Sequence, residues 1–336
     1  MNKKLKGWLI WLFTLIGVLL ISAFLSLTVG ADKISLPKVL SLIFAPQQGI
    51  EYTILFHIRL PRILLATFIG GALAVSGVIF QGMFRNPLVG PYTLGVSGGA
   101  ALGVTLSISL GIGFCLPLAG MSGAILAIFI VYFLASRKGL LRIPTLLLIG
   151  VMLSFLSSSL ITLIMALADV TKLHGILFWL MGSLEESNLG LIKLVIALST
   201  SGVIFSFLFA HSLNAFSLGE EEALHLGINI ERTKKVLFVL ASLLTGSVVS
   251  VSGMIGFVGL VVPHFMRMFV GSDHRILLPT AFLGGGIFLL LCDTLARTII
   301  SPMELPVGVI TGILGGVVFI YFLSRRKGVR SPQLTK

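Results

Sequence analysis

Arg59, Arg62 and Arg297 are the residues whose chemistry most plainly asks for a partner. A guanidinium is permanently charged and presents a planar fork of donors that matches a carboxylate. Arg297 also follows Asp293 by four residues, a spacing that sets both on one helical face and allows a pair within the chain. Asp293 is the one acid inside a long apolar run, whereas an ion-coupled carrier usually buries several ionisable groups. The histidines His57, His174, His211, His225, His264 and His274 show neither His-x-x-x-His nor Glu-x-x-His spacing, so no metal site is expected. Cys115 and Cys292 sit in apolar runs, without disulfide or metal-ligand spacing. No Gly-x-x-x-x-Gly-Lys-Ser/Thr loop occurs, so nothing here reads as ATP-binding. An intramembrane enzyme would need clustered Asp, His or Ser partners. The expectation is therefore no catalytic residue, no metal and no cofactor on this chain.

Two further groups are patterned without being reactive. Ser154, Ser158, Thr162 and Met165 follow steps of four, four and three, which places them on one face of a helix. That face could line a neutral pathway or pack against another helix. The segment Leu218-Gly219-Glu220-Glu221-Glu222-Ala223-Leu224-His225-Leu226-Gly227 mixes apolar residues with a glutamate cluster. Its pattern predicts two short amphipathic helices meeting at a turn, a shape suited to docking on a partner or lying on a surface.

The elements that carry these residues are membrane spans. The chain has 336 residues, 56% hydrophobic and 11% charged, where a soluble domain carries roughly 25% charged residues. Its mean hydropathy is +1.09. The net charge of +12 does not indicate nucleic acid, because the basic residues are dispersed between apolar runs instead of massed on one face. A helix of roughly 20 apolar residues crosses a bilayer. By that rule, spans are predicted at about 8 to 31, 63 to 84, 93 to 113, 116 to 136, 143 to 168, 194 to 219, 276 to 299 and 305 to 324, with 236 to 266 divided near Ser252-Gly253 into two. Ten spans with a cytoplasmic N-terminus leave only Lys33, Lys38, Arg59, Arg62, Lys172, Lys193 and Arg297, of 24 lysines and arginines, on the outer side. The run from Gly7 to Ala31 exceeds the roughly 7 to 15 residues of a signal-peptide core, so it reads as an uncleaved anchor. Gly95, Gly99 and Gly103, and again Gly308, Gly312 and Gly316, have the four-residue spacing of close helix contacts. Gly71 to Gly77 echoes Gly246 to Gly253 on a span running the other way, which suggests an inverted internal repeat.

Many short motifs, in order along nearly the whole chain, resemble one family. They are Arg59-Leu60-Pro61-Arg62, Asn86-Pro87-Leu88, Leu94-Gly95-Val96-Ser97-Gly98-Gly99, Gly219-Glu220-Glu221-Glu222-Ala223, Gly256-Phe257-Val258-Gly259-Leu260-Val261-Val262-Pro263-His264, Asp273-His274-Arg275 and Glu304-Leu305-Pro306-Val307-Gly308. The chain resembles the FecCD-type permease subunits of ATP-binding cassette (ABC) importers for iron-siderophores, haem and cobalamin. The resemblance implies an all-α polytopic protein of ten helices, a second permease subunit, two cytoplasmic ATPase subunits holding ATP and Mg, and an extracytoplasmic binding protein. It implies that Arg59, Arg62 and Arg297 receive acidic residues of that binding protein. It also implies that Gly219, Glu220, Glu221, Glu222, Ala223, Leu226 and Gly227 belong to coupling helices resting on the ATPase. Asn86-Pro87 and Pro263-His264 match motif positions to which the residues themselves assign no role.

The expected protein is a single permease domain over residues 1–336 of the bacterial cytoplasmic membrane, with a coupling segment at about 211–232. Its expected cargo is an iron-siderophore or related metal chelate, with haem or cobalamin as the alternative and oxyanions still open. A self-sufficient ion-coupled carrier is the competing class.

Overall fold

The computed structural model describes residues 3–325 apart from 31–33, 46, 113–114 and 138–139. Lys33, Lys138, Arg326, Lys327, Arg330 and Lys336, together with the expected span ends Ala31 and Gly113, lie outside the described residues. The chain is almost wholly helical. Its elements are α1 (Lys3–Thr28), α2 (Leu36–Phe44), α3 (Ile50–Thr53), α4 (Leu60–Phe84), α5 (Val96–Ser109), α6 (Leu116–Ala135), α7 (Ile143–Leu167), α8 (Val170–Met181), α9 (Leu189–Leu208), α10 (Ala210–Leu218), α11 (Glu220–His225), α12 (Ile230–Ser252), α13 (Val258–Val270), α14 (His274–Ala296) and α15 (Val307–Arg325). A two-residue antiparallel pair, β1 (Ser136–Arg137) and β2 (Leu140–Leu141), joins α6 to α7.

Local chemistry sets the ends of these helices. Pro117 and Pro144 occupy first-turn positions, where a missing N–H costs nothing. Asn188 and Asn229 cap α9 and α12 by accepting the N–H groups of Gly190 (2.9 Å) and Arg232 (3.0 Å). Among the described residues, seven helices are long and apolar enough to cross a membrane: α1, the continuous helix Ile50–Phe84, α6, α7, α9, α12 and α14. The expected spans at 93 to 113, 253 to 266 and 305 to 324 form the shorter helices α5, α13 and α15. The chain breaks where expected, at Ser252-Gly253, and stays non-helical until Phe257, which shortens α13. The span expected at 194 to 219 is divided instead, into α9 and α10, at Phe209.

Contacts define two ends of the bundle. Lys4 meets Asp273 (3.3 Å), Arg267 meets Gln81 (3.2 Å) and Lys234 meets Glu220 (2.8 Å), gathering basic residues at the end where α1 begins. At the other end the last turn of α1 meets the start of α4 and the last turns of α14. Between them α4 is buried along nearly its whole length, whereas α1, α7 and α9 expose large apolar side chains such as Phe13, Phe155 and Phe205. Exposed apolar helix faces around a buried central helix are what a lipid solvent permits.

Glycine makes the central packing possible. A Cβ at Gly70 would strike the carbonyl of Gly285 on α14, and one at Gly77 the carbonyl of Gly259 on α13. Gly99 and Gly103 pass Gly123 and Ala119 of α6 in the same way, as their spacing predicted. On α15 the expectation holds only at Gly308, which abuts the carbonyls of Met181 and Met254. Gly312 faces open space and Gly315, not Gly316, takes the tight contact with Phe257. Four residues advance a helix by about 40° beyond a full turn, so the two steps from Gly308 to Gly316 swing the contact by about 80° and do not keep one line. The first echoing segment, on α4, is held to α12 just ahead of the second, the Ser76 hydroxyl being bonded to the Ala241 carbonyl and to Thr245, both at 2.8 Å.

Gly77→Val should therefore force α4 and α13 apart, at a cost of about 1–3 kcal/mol or more. Thermal unfolding of the detergent-purified chain should show a clear drop in midpoint, while Gly312→Val should leave it unchanged.

Candidate functional site

Three features could carry function, and the first is the arginine cluster. The chain approaches it through a π-helical turn, Ile54–Arg59, between α3 and α4; such turns locally re-aim a helix. Arg59 donates to the Leu27 carbonyl, and its guanidinium lies against Gly30. Arg62 donates through Nε to Asp293 Oδ1 (2.7 Å) and through Nη1 to Glu304 (2.6 Å) and Glu185 (3.3 Å). Arg297 donates through Nε to the other oxygen of Asp293 (3.0 Å) and through Nη2 to Ser26 (2.7 Å). The three arginines are only 3–5% exposed. The structure thus brings Arg62 and Arg297 onto one carboxylate; the four-residue spacing of Asp293 and Arg297 suggested only the second of these pairs. Instead of standing open at the outer surface, all three are turned inward, Arg62 and Arg297 onto the Asp293 carboxylate and Arg59 onto a backbone carbonyl, so that none is buried without an acceptor.

Two carboxylates in the cluster were not singled out by sequence reasoning. Glu304 lies inside a quoted motif, and Glu185 sits in the loop after α8; no spacing links either to Arg62. Their carboxyl groups hydrogen-bond each other. That bond, then burial, raises the Glu185 carboxyl above the ordinary carboxylate range. Burial also opposes ionisation of Glu304, but the bond from Glu185 and the charges of Arg62 and Arg297 prevail and hold it below that range. Of the pair, Glu185 is the weaker acid.

The second feature is a cavity of about 350 Å³ to which Ser154, Ser158, Thr162 and Met165 all contribute. Tyr92, Ser97 and Leu180 complete much of its wall, and no charged side chain is among its described lining residues. The α7 hydroxyls are bonded within their own helix: Ser154 donates to the Gly150 carbonyl (3.0 Å) and Thr162 to that of Ser158 (2.9 Å). Gly98 of α5 packs against Ser154 and Ser157, so the same face of α7 both packs and lines a cavity.

The third feature lies at the basic end, where α10 and α11 meet at Gly219 instead of at the expected Gly227. Gly219 has φ 142°, beside the Glu222 carboxylate. Gly227, at φ 78°, terminates α11: Ile228 N–H donates to the Ala223 carbonyl (3.1 Å) and Gly227 N–H to that of Leu224 (2.9 Å). This is a glycine-dependent helix stop that a side chain would strain. Ala223 is buried, and Glu220 is bonded to the buried Lys234 (2.8 Å). Lys234 also reaches Glu231 (3.5 Å), which accepts the Leu141 N–H of β2 (2.7 Å). Glu221 and Glu222 stay exposed, together with Leu218 (65%), Leu224 (59%) and Leu226 (64%). Three bare leucines beside acidic residues on a firmly anchored segment form a surface built for contact.

A many-helix apolar bundle with an uncharged cavity along α7 and polar features at its two ends defines a multi-pass membrane permease. The FecCD transport family model matches residues 18–325, and the chain belongs to that family, as a permease of the ABC-importer class. It is 41% identical to the hemin transport system permease protein HmuU of Yersinia pestis, over 98% of this chain and all of that one. It is 34% identical to the iron(3+)-hydroxamate import system permease protein FhuG of Bacillus subtilis, over 90% and 93% of the two chains. Among solved structures, an inward-facing metal-chelate type ABC transporter superposes with a TM-score of 0.82 at 34% identity, covering 95% of this chain and 99% of that one.

Asp293→Asn should leave two buried guanidinium groups short of charge, costing about 3–5 kcal/mol. Glu185→Gln removes a largely exposed carboxyl whose contact with Arg62 is the longest in the cluster, at 3.3 Å, and should cost well under about 1 kcal/mol. Unfolding midpoints of the two variants in detergent measure the contrast.

Proposed function

We propose that the chain is a ten-helix permease, one domain over 1–336 with both termini in the cytoplasm, that passes an iron-siderophore or related metal chelate into the cell. Haem or cobalamin is the alternative cargo. The observation that carries this reading is the division of features between the ends: buried arginines under two exposed-edge carboxylates at one end, and the anchored leucine-glutamate segment among basic residues at the other. The α7 face of Ser154, Ser158, Thr162 and Met165 is the proposed pathway wall. Its neutrality suits a large chelate whose affinity is supplied elsewhere. The segment 211–232, with Gly219, Glu220, Glu221, Glu222, Ala223, Leu226 and Gly227, is the proposed coupling surface for one of two cytoplasmic ATPase subunits, which hold ATP and Mg. A second permease subunit completes the membrane part.

An extracytoplasmic binding protein is proposed to dock over Arg59, Arg62 and Arg297. The structure adds a condition to that role. Glu185 and Glu304 already occupy Arg62, so incoming carboxylates must displace them.

Reconstituted with the ATPase in proteoliposomes, the permease should take up a ferric siderophore in an ATP-dependent manner, and hemin and cobalamin less well. Gly227→Val and the pair Glu221→Lys, Glu222→Lys should cut that uptake severely by weakening ATPase association. Ser158→Trp should block uptake with assembly intact. Uptake that persists without the ATPase would instead establish an ion-coupled carrier.

For docking, Glu304→Gln and Glu185→Gln should speed association of the binding protein, since the competing charges are gone. Association with the unaltered permease should weaken as salt rises, because the screening length is only about 10 Å at 0.1 M. Kinetics that ignore both salt and these substitutions would remove the arginines from the docking site.

A further inference from the structure

Three quoted motifs, Asn86-Pro87-Leu88, Pro263-His264 and Asp273-His274, take no part in the features above. Folding brings them to one cavity of about 610 Å³ at the basic end, bordered by Ser217 of α10. Arg85 and Arg267 line it, and among its described lining residues none is acidic. Asp273, beside it in sequence, is engaged elsewhere, by Arg275 (2.7 Å), Asn214 (2.9 Å) and Lys4 (3.3 Å). Gln81 accepts a hydrogen bond from Arg267 (3.2 Å) and, through its amide, donates to the Leu260 carbonyl (3.1 Å), which steadies that guanidinium. Arg85 is exposed, and its side chain makes no hydrogen bond or ion pair among the described residues. Two guanidinium groups around a cavity without a carboxylate call for an anion.

His274 supplies an independent observation. It is only 2% exposed. The Asn214 oxygen accepts the His274 backbone N–H (2.8 Å) while the Asn214 amide nitrogen donates to Asp273, so the orientation of Asn214 is fixed. Nδ1 of His274, 2.8 Å from that same oxygen, must therefore be the protonated nitrogen. Nε2 is left with a lone pair and has no hydrogen-bond partner. It faces Gly82, another lining residue, where a Cβ would stand only 2.9 Å away. A buried acceptor of this kind is satisfied by an O–H.

We propose that this cavity binds a protonated phosphate oxyanion, either hydrogen phosphate or a phosphate monoester, with its charged oxygens toward Arg85 and Arg267 and a hydroxyl toward His274. The same chemistry is offered by free phosphate in the cytoplasm and by the phosphatidic acid headgroup of the inner leaflet. Sulfate has the charge but no proton at neutral pH. The rim carries Met268, 53% exposed, followed by Phe269, 51% exposed, so the cavity opens beside an apolar surface as well as toward water. Basic pockets between membrane helices are a recurring form of headgroup site.

The test uses the full chain in phosphatidylcholine nanodiscs. Calorimetric titration with inorganic phosphate should show saturable binding, about tenfold weaker in Arg85→Gln and Arg267→Gln, and resistant to competition by sulfate. If the occupant is lipid, native mass spectrometry of nanodiscs doped with phosphatidic acid should show retained phosphatidic acid, lost in Arg85→Gln, with no response to free phosphate. Arg85 makes no contact whose loss would unfold the chain, so an unchanged unfolding midpoint in Arg85→Gln isolates the site. Sulfate binding as well as phosphate, neither phosphate nor phosphatidic acid binding, or binding unaffected in both arginine variants would overturn the proposal.

Discussion

The architecture depends on how closely other backbones can approach α4. In lipid the hydrophobic effect does not push helices together, so contact must come from packing and hydrogen bonds. Where α4 carries glycine, at Gly70 and Gly77, carbonyl groups of Gly285 and Gly259 occupy the space a side chain would fill. Ser76 lies between these contacts and reaches α12. A helix locked on three sides leaves little freedom at its own ends, and both ends carry chemistry: Arg59 and Arg62 at the start, Gln81 and Arg85 at the finish.

The same closeness settles what happens to charge. Bringing α14 against α4 puts Asp293 beside Arg62, and the helical repeat of α14 brings in Arg297. One carboxylate divided between two guanidinium groups leaves net positive charge, which Glu304 and Glu185 approach from loops that surface at the end of the bundle. Lys234 at the opposite end follows the same rule, with Glu220 and Glu231 as its counter-charges. Arg62 and Lys234 thus each have a carboxylate at an exposed edge, where other molecules can compete for it.

Much of this was legible in the chain. Apolar runs ended by charges located the long helices, and Gly253 marked the break after α12. Period alone placed Ser154, Ser158, Thr162 and Met165 on one face, and the structure sets all four on one cavity. The kink at Phe209 was hidden because neither proline nor glycine marks it, and α8 because twelve residues are too few to read as a span. The inward turn of the arginines was hidden for another reason. Arg62 and Arg297 are held by groups far away in sequence, and only the i, i+4 relation of Asp293 to Arg297 could be seen without the fold.

The bonds around Lys234 have a mechanical meaning. Glu220 on α11, Lys234 and Glu231 on α12, and the Leu141 N–H of β2 form an unbroken series, and β2 runs within two residues into α7. A force applied to α11 therefore has a load path that bypasses the loops and enters the foot of α7. Because α7 is a stiff rod, a small rotation at its foot becomes a larger sideways sweep farther along, where Ser158, Thr162 and Met165 stand.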